Sequence, residues 1–336
     1  MNPLAFRKVL RIGNSYLAVT ANGYFPVTTA QYCAYFTNFR FVLQYSQKAA
    51  EDGRSADNIT HSERQRLQKM NKNTYTKKAL GHGEIAIYDF GEIKLYAYKT
   101  NDLIDDEVFV AVKDGRGVTI ELPCFFDNIS ELTEYLSGEG VTVEAKLVAY
   151  HAAGASFLPD VPVYGTKSSV AYNTTGGGAG LVANFKSAFG EIFDSSLAAA
   201  DVVLDDGEIE LAGIKFSIAS NGEAYDIEIP EINCVYTHMM GHDCHSIVAG
   251  SAHADAIAAQ LKEYIDRGFD LVLTSHYTPE DLKDAQTKID YLHELQLIAE
   301  GSADAGEMKK KVGAKYPGYS GQNYLDMTVG FFFPEK

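Results

Sequence analysis

Three of the chain's nine histidines fall within one stretch, Ile232 to Gly250, INCVYTHMMGHDCHSIVAG, together with an aspartate and a cysteine. Ile232 to Tyr236 is short, apolar and rich in strand-favouring residues, so Thr237 and His238 sit where a buried strand gives way to a loop. Two other apolar runs also end on a histidine: LVAYHAAGASFL at His151 and LVLTSHYTPED at His276. In α/β proteins the loops at strand ends carry most of the chemistry. Neutral imidazole is a good ligand for borderline metals and titrates near neutrality, so three histidines at three strand ends point to a metal or acid/base centre. Cys244 lies next to His245, but adjacent residues rarely face each other, which argues against a thiol nucleophile and its base. His242, Asp243 and His245 read as a network behind the ligands or a cap for the next helix, with His242 also a catalytic candidate.

These residues need a scaffold, and the length allows one. A chain of 336 residues with 46% hydrophobic and 22% charged residues has the composition of a globular protein with a sizeable core. No apolar run approaches the roughly 18 residues of a membrane span, and the N-terminus lacks a secretory pattern, so the default expectation is a cytoplasmic protein, with extracellular assembly left open. The four cysteines, Cys33, Cys124, Cys234 and Cys244, are dispersed without CxxC spacing, which excludes a disulfide framework or zinc knuckle read from sequence. Charge divides the chain: residues 1–80 hold 12 Lys/Arg against 4 Asp/Glu, a net +8, and the remainder holds 17 against 41, a net −24. An acidic body argues against nucleic-acid binding, which needs a dense Lys/Arg surface. The basic segment and the aromatic, charge-poor C-terminus together predict a homo-oligomer contacted through both.

In chain order, residues 1–27 read as short strands with turns at Gly13-Asn14 and Asn22-Gly23, followed by an aromatic helix over 30–50 and a polar, basic stretch. From His82 a strand meander begins, with a hairpin turn at Asp114-Gly115, and Ser130 is placed to cap a short helix closing on Gly138. NTTGGGAG, lacking phosphate-loop spacing, reads as a hinge or tight turn before a helix. VVLDDGEIELAGIKFSIAS reads as a hairpin turning at Asp206-Gly207. HADAIAAQLKEYIDRG is an amphipathic helix stopped by Gly268, and Pro279 is expected to start a long helix reaching about Ala299. Three parts follow: an extension over 1–81, a mixed α/β body over 82–300, and a tail over 301–336 packed on the body.

This order of elements, with its histidine-ended strands and final Ser275-His276-Tyr277-Thr278-Pro279, resembles the metallo-β-lactamase superfamily over about residues 82–295. It looks nearest to the alkylsulfatase-like branch, whose short EA motif is matched by Glu223-Ala224 and whose T-H-x-x-H-N stretch is matched near Gly241 to Ser246. The resemblance implies a four-layer αββα sandwich with metal, usually zinc, at the strand ends. Of the family signature H-x-H-x-D-H, the matching segment Ala149 to Gly154 keeps one histidine, His151, and carries Ala153 and Gly154 where the second metal site has Asp and His. The ligands carried over are His151, Glu223, His238 and His276, enough for one divalent ion with a position open to water. The implied function is a metal-dependent hydrolase of an ester, phosphoester or sulfate ester of unidentified small-molecule identity, with Glu223 or His242 as catalytic partners. The alternative is a non-catalytic, self-assembling protein built on a degenerate form of the fold.

Overall fold

The computed structural model describes residues 71–334 and, before them, the backbone strands β1 (Lys8–Ile12), β2 (Ser15–Thr20) and β3 (Gly23–Val27). These three strands form an antiparallel meander, Ile12 pairing with Ser15 and Thr20 with Gly23. The expected helix over 30–50 lies outside the described residues. Two compact units divide the chain, residues 1–68 and 69–336.

In the second unit, β4 (Thr76–Ala79), β5 (Glu84–Asp89), β6 (Ile93–Lys99), β7 (Glu107–Lys113) and β8 (Arg116–Ile120) pair antiparallel in succession. β9 (Thr142–Leu147), β10 (Val163–Thr166) and β11 (Val202–Leu204) then continue the sheet in parallel, giving eight strands in sequence order. The β7–β8 turn is the one read from sequence: Asp114 and Gly115 both have positive φ, 52° and 74°, as a tight two-residue hairpin requires. The second sheet has six strands: β12 (Gly207–Leu211), β13 (Ile214–Ser220), β14 (Tyr225–Ile229), β15 (Cys234–Thr237), β16 (Leu271–Thr274) and β17 (Tyr277–Glu280).

Side-chain alternation makes these sheets two inner layers. Along β6 and β7, Leu95, Ala97, Phe109 and Ala111 face Phe216, Ile227, Tyr236 and Leu273 of the second sheet in one core. The opposite faces of β6 and β7, with Tyr96, Tyr98, Val108 and Val110, pack under Ile129, Leu132 and Leu136 of helix α1 (Phe126–Gly138). Helices α2 (Lys167–Thr174) and α3 (Gly177–Phe189) follow β10. The outer face of the second sheet, at Val235 and Val272, is covered by α4 (Ser251–Arg267) and α5 (Leu282–Glu300), with α6 (Ala305–Lys315) and α7 (Gln322–Phe332) joining the same core through Met308, Val312, Leu325 and Val329. The result is the expected αββα sandwich. Residues 301–334 are thus helical and built into one layer of it.

Three local readings change. α1 begins at Phe126, a turn before Ser130, whose hydroxyl bonds Glu134 within the helix instead of capping it. Pro279 sits in β17, and α5 starts after Asp281, which forms a capping box with Asp284. Val202–Leu204 and Gly207–Leu211 are not two arms of one hairpin: β11 closes the first sheet, the chain crosses at Asp205-Asp206, and the hairpin turn falls at Ala212-Gly213 between β12 and β13. Alternation along the segment is the same in either pairing, so pattern alone does not say which sheet each strand joins.

Candidate metal centre

β15 and β16 are parallel, so Thr237 and Thr274 end at one edge of the second sheet and deliver His238 and His276 there. β8 and β9 are likewise parallel, and their ends bring Glu121 and the segment Val148–His151 to the corresponding edge of the first sheet. The edges are tied together where the Glu107 N–H donates to the Ser275 carbonyl (2.6 Å) and the Ser275 N–H to that of His238 (3.1 Å). Tyr236 donates its hydroxyl to Glu121 (2.5 Å) and also contacts the Ser275 hydroxyl.

At this junction the three histidines meet. His151 Nε2 lies 3.1 Å from His238 Nε2, and one ring nitrogen from each of His151, His238 and His276 falls within a 4.8 Å cluster. Two ligands about 2.0–2.1 Å from a tetrahedral ion stand roughly 3.4 Å apart, close to the observed spacing. His276 Nδ1 donates to the Ile104 carbonyl (3.2 Å), and the Nδ1 atoms of His151 and His276 lie 3.4 and 3.3 Å from Asp106 Oδ1. The carbonyl acceptor places the proton of neutral His276 on Nδ1 and leaves its Nε2 lone pair free. Tyr150 stacks on His238 at 4.1 Å and fixes that ring's plane.

Electrostatics favour three neutral rings. Burial lowers the His151 pKa to about 4 and that of His276 to about 3, with His151 adding repulsion in the latter. His238 is held well below the usual range by burial and then by its two neighbours. Asp106 is fully buried, and its carboxyl is pushed well above the usual range, first by burial and then by Asp102. Its Oδ1 makes no regular hydrogen bond and faces the two Nδ1 edges, while its Oδ2 accepts from the Cys124 thiol at 3.3 Å. Glu121, also buried, accepts from the Tyr150 and His151 amides at 2.9 Å each. Asp106 thereby orients the rings, and Glu121 the backbone that carries one of them. These residues fit a divalent cation: convergent neutral imidazoles backed by a buried carboxylate.

His151, His238 and His276 thus come together as read from sequence. Glu223 does not join them. It lies on the turn between β13 and β14, at the same edge, but its side chain is exposed and is absent from every group of clustered ligand atoms among the described residues. The Asn221 side chain accepts the Ala224 amide at 3.0 Å and holds that turn closed, with Glu223 directed outward. His242 belongs to a separate group, its Nδ1 2.8 Å from Glu280 and 3.5 Å from Asp284. Asp243 bonds Tyr277, and His245 Nδ1 lies 2.8 Å from the Tyr291 hydroxyl, so this stretch supports the loop. Cys244 has its thiol pKa raised by burial, in keeping with an inert side chain. Sequence reasoning passed over Asp106 and Glu121; the available signal was an acidic residue beside nearly apolar strands, in DDEVFVAV and VTIELPCFF.

Beyond His151 the chain is closely packed at Ala153 and Gly154. Gly154 has φ of 92°, and a Cβ there would lie 2.1 Å from the Pro123 carbonyl oxygen. Its amide donates to Asp194, and Ala153 bridges Leu197. Above the histidines lies a cavity of about 540 Å³.

Sheet order and histidine-bearing edge together define a metallo-β-lactamase fold. Among solved structures, the chain is similar to the stereoselective inverting sec-alkylsulfatase Pisa1 from Pseudomonas sp., at 14% identity and TM-score 0.50, covering 70% of this chain and 49% of that one. A double mutant of that sulfatase aligns at 14% identity and TM-score 0.51, over 84% of this chain and 61% of the other. A metallo-β-lactamase from Erythrobacter litoralis aligns at 12% identity and TM-score 0.47, over 65% and 100%. The chain therefore spans about half the length of the alkylsulfatase, and the likeness is one of fold. No protein-family model matches the sequence, and no curated protein does.

Proposed function

We propose that the protein is a metal-dependent hydrolase with one divalent ion, zinc by ligand chemistry, held by His151, His238 and His276. The observation that carries this reading is the 3.1 Å approach of two imidazole Nε2 atoms at the floor of a cavity, with Asp106 behind the rings. Uncharged nitrogens brought that close share a proton or a cation, and three of them with one buried carboxylate favour the cation. The blocked position at Gly154 supports a single ion over a pair. A divalent ion held there supplies Lewis-acid chemistry for hydrolysis of an ester-type bond. The Ile104 carbonyl holds the Nδ1 proton of His276, Asp106 backs the His151 and His276 rings at 3.3–3.4 Å, and Tyr150 shields one face of His238. Glu223, exposed at the same edge, serves in this reading at the periphery. Hydrolysis of p-nitrophenyl acetate by untagged, zinc-loaded protein tests the proposal: chelator should abolish it and zinc restore it. Activity indifferent to both would remove the metallohydrolase reading.

Self-association is the second part of the reading. The +8 of residues 1–80 complements the −24 of the body, and Phe331 on α7 is 49% exposed. Screened surface charges give weak, salt-sensitive contacts, so light scattering should show oligomers that shrink as salt rises. A monomer at micromolar concentration in low salt would contradict it. Among the described residues no helix is long and apolar enough to cross a membrane.

A further inference from the structure

The wall of the cavity differs in chemistry from its floor. α3 is largely apolar in sequence, GGAGLVANFKSAF, yet only Gly178 of it is buried. Leu181, Val182, Phe185 and Phe189 line the cavity, and the last two join Phe125 and Phe193 in an aromatic cluster with ring centroids 5.4–6.0 Å apart. Its lining includes three exposed apolar side chains, Leu103 (65%), Leu181 (45%) and Met327 (46%). An apolar helix left half open beside a reactive centre is stable against water when an apolar group covers it. The volume lies within the ~300–1,000 Å³ usual for small-molecule sites.

Charge narrows the class further. Among the described residues lining the cavity there is no lysine or arginine, and its carboxylates are Asp105 and Asp106. The ammonium of Lys288 donates instead to the carbonyls of Gly241 and Cys244. A sulfate or phosphate ester brings oxyanions that protein sites commonly meet with Arg, Lys or backbone N–H groups. One divalent ion at the histidines would supply a single centre of positive charge, and among the described residues lining the cavity no second cation faces the remaining oxygens. We infer that the substrate is an uncharged ester bearing an apolar chain, its carbonyl at the histidines and its chain along α3. The inference rests on the metallohydrolase reading and narrows it. In the reaction the oxygen of water bonds to the acyl carbon, the acyl carbon–oxygen bond breaks, and a proton goes to the departing alkoxide.

Zinc-loaded full-length protein should be assayed on p-nitrophenyl acetate, butyrate and octanoate beside p-nitrophenyl sulfate and phosphate. With each buried methylene favourable, kcat/KM should rise about 10-fold or more from acetate to octanoate, and both oxyanion esters should lie at least ~100-fold below octanoate. Leu181→Asp should lower the octanoate-to-acetate ratio about 5-fold or more, as expected for a charge placed on the chain's path. A flat chain-length profile, or sulfate or phosphate turned over within 10-fold of octanoate, would overturn the inference. Binding separates it from the hydrolase reading when nothing is turned over: 1-octanol should displace the neutral dye Nile red at lower concentration than octyl sulfate. Failure of Nile red to bind, or octyl sulfate displacing it equally well, overturns the apolar, uncharged assignment whatever the enzyme assay gives.

Discussion

Two histidine-bearing groups each bring three possible ligand atoms within 4.8 Å of one another. In the first, His151, His238 and His276 turn ring nitrogens toward one another under a cavity, and the carboxylate lies behind them. In the second, His242, Glu280 and Asp284 are already satisfied from within the chain. Glu280 accepts the Gly241 and His242 amides at 2.7 Å each, and Asp284 accepts the Asp281 amide in the α5 capping box and pairs with Lys72. A lysine occupies there the role a cation would have. Ligand residue types at ligand distances therefore do not by themselves define a metal site; the proposed centre also turns its ring nitrogens toward open space.

Breaking each group in turn should give different losses. Glu280→Ala strands two amides and an imidazole at a buried position, and should destabilise the protein by about 2–4 kcal/mol in denaturant unfolding while bound metal stays at one equivalent. Loss of metal from a folded Glu280→Ala protein would erase the distinction between the groups. Asp106→Asn removes the carboxyl group behind the rings and should weaken zinc binding about 10–100-fold, read in a competition titration with a chelating dye. Unchanged affinity would mean that Asp106 is only a buried acid.

The apo protein offers a pH test of the first group. The pKa of His276 falls from its ordinary value near 6.5 to about 3 on folding, so between these values the unfolded chain binds the proton that the folded one refuses. Stability from this residue is therefore intact above about pH 6.5 and declines as pH falls toward 4. His276→Gln should lose less stability over that interval than the wild-type chain, measured as the shift in urea midpoint. An equal loss in both would show that burial does not depress this group. The smallest effect is expected at Glu223, exposed on its turn: Glu223→Gln should change ester hydrolysis less than about 3-fold, against more than ~10²-fold for a general base or ligand.

Much of the site was legible because strand ends announce themselves: an apolar run broken by histidine occurs at His151, His238 and His276, and the fold brings all three together where the edges of the two sheets meet. Tight turns and glycine stops were equally local, as at Asp114-Gly115 and at Gly268, left-handed after α4. What escaped depends on distant partners. Glu121 earns its role from amides 29 and 30 residues away and a tyrosine 115 residues away. Asp106 is recognisable only once His151 and His276 stand over it. Glu223 was carried over from a motif, and the Asn221 turn directs it to solvent instead. Pro279 permits a helix start, but the stronger signal was the Asp281–Asp284 box two residues on.

The most direct test is a calorimetric zinc titration of metal-free, untagged protein beside His238→Ala and His242→Ala. One equivalent is expected for the wild-type chain, one for His242→Ala, and no specific site for His238→Ala. Two equivalents in the wild-type chain, or zinc retained by His238→Ala and lost by His242→Ala, would contradict it.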